Sequence, residues 1–390
     1  MTDLSREIPA WPLVGPEEQE LVAEVTASGN WWRFSGGKVL ELEKKFAEKH
    51  GTAYALTNSS GTNAIEVALM ALQIKPGDEV IVPAFTFIST ATPVMLLGGI
   101  PVPVDVDPVT FCVDPERIRE AITARTAGII PVHMAGHVCD MDAIREIAKE
   151  HSLFIIEDAC HAHGAEWNGQ RAGSIGDAGV FSFQALKLMT AGEGGMITTN
   201  SEKLYNDAFL FHHVGRPLGD RSYQHLVLGS NYRLSEFQGA ALIPQVDRLD
   251  GQNALRERNA ALLDAELSEI EGIITQGRDP RCNIHTHYMY MFYYDAAAFG
   301  GVTRDEFVER LNGVGIPAYK AYAVIQGTKV YKEFIESHSE VYAQFDLSCP
   351  ISHKIAGEVI WIHHKALLAS AETVRGIAGF ISQQQQHVHI

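Results

Sequence analysis

The chain has 390 residues, 46% hydrophobic and 20% charged, with 31 basic against 48 acidic residues and a formal net charge of −17. This composition excludes a disordered chain, a collagen-like repeat and a small disulfide scaffold, and the length allows two or three domains. So acidic a chain repels a phosphate backbone and an anionic bilayer, so neither nucleic acid nor membrane is an expected partner.

In chain order, helix patterns over 16–28 and 39–50 each end at a glycine, Gly29 and Gly51. β-rich runs follow at 53–57, 79–83, 102–105, 128–132, 154–157, 179–183 and 196–199. Helix-period stretches at 62–72, 88–97, 115–122 and 141–149 separate the earlier ones. This alternation predicts an α/β fold with a mainly parallel sheet covered by helices on both faces. Residues 231–267 read as a long helical connector that Pro244 should kink or interrupt. A second set follows, with strands at 287–294 and 316–319 and helices at 304–312 and 371–383. The expected division is a large α/β domain over 1–250, including the N-terminal helical segment, and a smaller α+β domain over 251–390.

The N-terminal residues Met1-Thr2-Asp3-Leu4 lack the basic and apolar regions of a signal peptide, and no apolar run approaches the roughly 18 residues that span a bilayer. Five scattered cysteines, Cys112, Cys139, Cys160, Cys282 and Cys349, form no C-x-x-C pair and suit reduced thiols in a cytoplasm. The uncharged ending over 383–390 is expected to fray.

Four features carry chemistry. Lys187 follows an apolar strand, flanked by Leu186, Leu188 and Met189 and then by Gly192-Glu193-Gly194-Gly195. A lysine among apolar neighbours favours a nucleophilic neutral amine, as bonding to a carbonyl carbon requires; a snorkelling loop lysine is the alternative. The strand Phe154-Ile155-Ile156 ends in Glu157 and Asp158 at the sheet edge where α/β folds place ligands. Asp158 suits the partner of a pyridine nitrogen, whereas Glu157 points to the other side of the strand. Ser60-Gly61-Thr62 opens a helix whose N–H groups, with the Ser60 and Thr62 hydroxyls, suit a phosphate; simple capping is the alternative. Phe87 closes another strand and suits stacking on a flat ring, or core packing. Together these fit one cofactor, pyridoxal 5'-phosphate. G-x-x-x-x-G-K-[ST] and G-x-G-x-x-G are both absent, so nucleotide readings lose their main support.

These words resemble the DegT/StrS-type sugar aminotransferases, pyridoxal-phosphate enzymes of aspartate-aminotransferase fold (fold type I). The motifs are Ser60-Gly61-Thr62, Glu157-Asp158-Ala159-Cys160-His161, Phe181-Ser182-Phe183 with Lys187, and Gly229-Ser230-Asn231-Tyr232-Arg233. The resemblance implies that Lys187 bonds to the cofactor and that Asp158 pairs with its ring nitrogen. It implies that His161, where many relatives have Gln, contacts the ring. Gly61, Thr62 and Ser182 would hold the phosphate and Phe87 would stack. Asn231 would complete the phosphate site of a neighbouring subunit, making the active unit a homodimer or larger homo-oligomer.

Within the family the wording is most similar to the aminohydroxybenzoate synthases, at Trp31-Trp32-Arg33, Gly215-Arg216-Pro217 and His363-His364 among others. Gln184-Ala185-Leu186, before the lysine, departs from it. The implied activity is transfer of nitrogen from Glu or Gln to a keto-sugar or cyclitol ketone. Dehydration to an aromatic amine, as by those synthases on an aminated shikimate-like ring, is the alternative, and a catalytically silent relative the third. Trp32, Arg33, His133, Arg216, Arg233 and His364 are candidate substrate contacts. His133 and His137 have an H-x₃-H spacing, but no third ligand is adjacent and no metal is expected.

Overall fold

The computed structural model describes residues 4–386; residues 1–3 and 387–390, the last four of the expected frayed ending, lie outside the described residues. The strands are β1 (Tyr54–Asn58), β2 (Glu79–Pro83), β3 (Ile100–Val104), β4 (Thr126–Ile129), β5 (Phe154–Asp158), β6 (Glu166–Trp167), β7 (Gln170–Arg171), β8 (Ala178–Ser182) and β9 (Gly195–Thr199). After the helix Glu236–Leu267 come β10 (Ile273–Thr275), β11 (Cys282–Ile284), β12 (Met289–Tyr294), β13 (Ala318–Lys320) and β14 (Val359–His363).

Seven strands form the main sheet in the order β1-β9-β8-β5-β4-β2-β3. The pairs β3/β2, β2/β4, β4/β5 and β5/β8 are parallel, and β9 runs antiparallel between β8 and β1. The apolar runs of β2, β3 and β8 are buried along their whole length, as a sheet covered on both faces demands. The fold is thus the α/β, fold type I architecture expected. The carboxyl ends of β1, β2, β5 and β8 share one edge, where β9 begins, so Asn58, Gly195 and Ser182 lie side by side. Every chemistry-bearing loop identified above leaves from that edge.

A second sheet, antiparallel in the order β10-β12-β14-β13, has its own buried cluster, which includes Phe292, Phe299, Phe307 and Ile362. Leu4 and Ile8 from the start of the chain pack into this second cluster. The helix Glu236–Leu267 serves both cores, with Leu242 and Leu249 in the larger and Ala260, Leu263 and Leu267 in the smaller. Residue 250 falls between those two stretches.

Two local expectations are corrected. The helix pattern at 88–97 forms a 3-10 turn, Ile88–Thr90, and a separate short helix, Thr92–Leu96, because Pro93 offers no N–H to continue the turn. Pro244, by contrast, does not interrupt its helix, which runs unbroken for 32 residues. There the Gln245 side chain donates to the Ala241 carbonyl at 2.7 Å, supporting the turn that a proline weakens.

Candidate active site

A cavity of about 360 Å³ opens at the shared strand edge. Ser60, Gly61, Thr62, Phe87, Asp158, His161, Ser182 and Lys187 all line it, so eight expected residues from four separate strand ends converge.

Asp158 ends β5 almost fully buried; Thr90 Oγ1 donates to its Oδ2 at 2.8 Å and the Cys160 amide to its Oδ1 at 3.2 Å. Thr86 lies 3.1 Å behind Thr90, so a chain of hydroxyls ends on the carboxylate. Glu157, one residue earlier, faces away and accepts from the amides of Gly173, Ile175 and Gly176 at 2.7–2.8 Å. Strand alternation therefore separates a carboxylate that anchors a loop from one that faces the cavity.

The helix Gly61–Ala71 points its N-terminus into the cavity. The Ser60 hydroxyl accepts from the Asn63 amide at 3.1 Å as the cap, so the capping alternative holds for that side chain. Gly61 is there because a Cβ would stand 2.9 Å from Ser182 Cβ and 3.0 Å from Cys160 Sγ. The first-turn amides, the Ser182 hydroxyl and a glycine cradle fit a phosphate group. Phe87 is 55% exposed, with its ring 5.8 Å from Tyr322, as a ring left free to stack would be.

Lys187 sits in a turn closed by its own amide on the Gln184 carbonyl at 2.9 Å. Its Nζ lies 4.4 Å from the centre of the Tyr288 ring. The same ring stacks on His161 at 4.4 Å. Burial, reinforced by Lys187, His163 and His133, pushes the His161 imidazole well below its ordinary pKa, so it is neutral. Its buried Nδ1 has no partner among the described residues. Amine, carboxylate, phosphate cradle and flat ring thus stand around one cavity in the arrangement pyridoxal phosphate requires.

The expected substrate contacts fall elsewhere. Arg33 is buried in an ion pair with Glu43, and its NH1 donates to Thr57 Oγ1 at 2.9 Å. His133 is buried between Glu157, 3.0 Å from its Nε2, and the Cys139 amide on its Nδ1. Neither lines this cavity. Arg216 pairs with Asp220 at 2.9 Å, Arg233 donates to His213 Nδ1 at 2.9 Å, and Trp32 packs on Phe34. His364 lies behind the cavity on the Leu186 carbonyl. Asn231, exposed, does not line this cavity either. Among the described residues no group of three or more His, Cys, Asp or Glu side chains is placed to hold a metal ion. The sequence reading missed Thr90, Tyr288, Tyr322 and Trp361, which reach the cavity from distant segments and carry no local motif.

The fold and this constellation define a pyridoxal-phosphate-dependent aminotransferase of fold type I. The chain matches the DegT/DnrJ/EryC1/StrS aminotransferase family over residues 12–380 and belongs to it. It is 42% identical over 381 residues to the 3-amino-5-hydroxybenzoate synthase of Amycolatopsis mediterranei, covering 96% of this chain and 97% of that protein. It is 35% identical to a putative L-glutamine:3-amino-2,3-dideoxy-scyllo-inosose aminotransferase of Micromonospora echinospora, covering 95% and 92%. A solved 3-amino-5-hydroxybenzoic acid synthase superposes with a TM-score of 0.91 at 40% identity, covering 98% of this chain and all of that one. An aminotransferase from Psychrobacter cryohalolentis superposes at 0.89 with 29% identity over 98% of this chain and all of that one.

Proposed function

We propose that this aminotransferase moves nitrogen from Glu or Gln to a cyclic ketone of sugar or cyclitol type, with Lys187 as the cofactor-bonding amine. The observation that carries the reading is the convergence of Lys187, Asp158 and the Gly61 helix N-terminus on one cavity. When bound, pyridoxal phosphate supplies an electron sink for the substrate's α-carbon. Asp158 holds a proton at the ring nitrogen. The Gly61–Ala71 N-terminus and Ser182 bind the phosphate. Neutral His161, stacked on Tyr288 at the cavity wall, would lie against the cofactor ring and help exclude water. Lys187 Nζ, the amine placed in the cavity, would move a proton to and from the substrate carbon.

A second reading uses the same residues for an elimination that ends in an aromatic amine. It is favoured by the 42% identity over nearly the whole chain to 3-amino-5-hydroxybenzoate synthase. Gln or Glu incubated with a panel of ketoses and cyclitols separates the two. Release of a 2-oxo acid with one of them supports transamination. An aromatic product without net consumption of the donor overturns it in favour of elimination.

We also infer a homodimer or larger assembly in which Asn231 completes a neighbour's phosphate site. Supporting it, Asn231 is exposed and pairs with His213, whose ring lies 4.6 Å from that of Phe34, itself beside the half-exposed Trp32. The unit around the second sheet acts as the smaller domain and closes the cavity with Tyr322 and Trp361. A cytoplasmic setting is supported by five free cysteines; no helix of the described residues is long and apolar enough to cross a membrane.

A further inference from the structure

Tyr288 and His364 leave the same edge of the antiparallel sheet. Tyr288 immediately precedes β12 and His364 immediately follows β14, and these strands pair with Met289 opposite His363. Lys187 belongs to the other sheet, in the turn after β8.

His364 is fully buried, and its Nε2 stands 3.0 Å from the Leu186 carbonyl, one residue before the lysine. A carbonyl only accepts, so Nε2 carries the hydrogen and Nδ1 is left bare. Burial, with Arg256 and His363 adding, keeps the ring neutral and hence in this one tautomer. Tyr288, 5.9 Å from the His364 ring, is the ring on which the Lys187 Nζ rests at 4.4 Å. The ring thus forms the wall against which the amine is placed.

The large sheet's own contacts fix the ends of the turn. Gln184 accepts from the Leu186 and Lys187 amides, and Gln245 holds Thr190 on both its amide and its carbonyl. Among the described residues these reach neither the Leu186 carbonyl nor the lysine side chain.

We propose that Tyr288 and His364 are positioning residues through which the small antiparallel sheet sets where the Lys187 amine stands in the cavity. The inference rests on Lys187 being the cofactor-bonding amine, as proposed above. It makes the lysine's place depend on how the two sheets are docked.

Two pairs of variants test it. His364→Phe keeps a flat ring and removes the donor, while His364→Gln keeps a donor. Hydrogen exchange at the Lys187 amide in the cofactor-free protein reads the turn, and titration with pyridoxal phosphate reads the amine. His364→Phe is expected to speed that exchange and weaken cofactor binding, each about tenfold, the factor that one lost hydrogen bond corresponds to. His364→Gln is expected to restore both to within about threefold of the parent. Should His364→Phe fail to fold, Tyr288→Leu, with weakened binding, against Tyr288→Phe, with binding retained, carries the same test. Unchanged exchange and binding in His364→Phe and Tyr288→Leu would overturn the proposal, as would a Gln variant as impaired as the Phe one. A parent protein that takes no cofactor on Lys187 sinks the functional reading instead, and the exchange comparison still decides the positioning claim.

Discussion

Thr90 stands 68 residues before the carboxylate it serves, and no motif links the two. Lys187 and Asp158 were legible because strand ends and an apolar-flanked lysine are local patterns. Thr90 and Tyr288 were not, because only the fold brings them in. Arg33 and His133 were chosen by residue type alone, and that gives no sign of the buried contacts with Glu43 and Glu157 that they make in this chain. Two outcomes follow from these contacts. Asp158→Asn should lower turnover by about 10²–10⁴, the range for a lost proton-holding group, while the cofactor is still trapped on Lys187. Turnover near the parent's would remove Asp158 from its role. Arg33→Met leaves the Glu43 carboxylate buried and unpaired, and should cost about 3 kcal/mol or more in urea unfolding while leaving KM unchanged. A raised KM with stability intact would return Arg33 to the substrate.

The strand predictions came within two or three residues at most boundaries because most of the apolar runs meet a glycine, a proline, a charge or an asparagine at one end or the other. Among those that escaped were β10, β14, the short β6-β7-β11 sheet and the helices Glu202–His212, Lys329–Ser337 and Pro350–Glu358. The missed strands, two to five residues long, are too short to stand out alone, and tertiary pairing decides them. The helix Gly61–Ala71 is the element most tightly bound to function, since its first residue fits only without a side chain. Gly61→Ala forces a methyl against Ser182 and Cys160 and should cost about 1–3 kcal/mol and loosen phosphate binding. Calorimetric titration with pyridoxal phosphate against pyridoxal separates the effects. The variant should lose most of the advantage the phosphate confers, and retaining it in full would place the phosphate elsewhere.

The charge of −17 is a property of the whole chain, whereas the proposed phosphate site is made of helix amides, a serine hydroxyl and a glycine cradle. The two coexist because the cradle uses backbone dipoles. Acid will act on the molecule through its interior instead. Burial lowers the pKa of His50 from 6.5 to about 4, and drives those of His161, His163, His212, His285 and His364 well below their ordinary value. Below about pH 6.5 the unfolded chain protonates these rings and the folded chain does not, so unfolding takes up protons. Stability should be complete above that pH and fall by up to about 1.4 kcal/mol per pH unit for each ring as acid is added. Urea midpoints measured between pH 7.5 and 5 check this, and a flat series would mean that the rings are protonated in the fold.

The proposed reaction turns on a single amine. Purified protein loaded with pyridoxal phosphate and reduced with borohydride should lose its visible absorbance and carry the reduced cofactor on the peptide containing Lys187, with no such adduct in Lys187→Ala. Loaded protein that shows no borohydride-sensitive absorbance, or an adduct on another lysine that persists in Lys187→Ala, would contradict it.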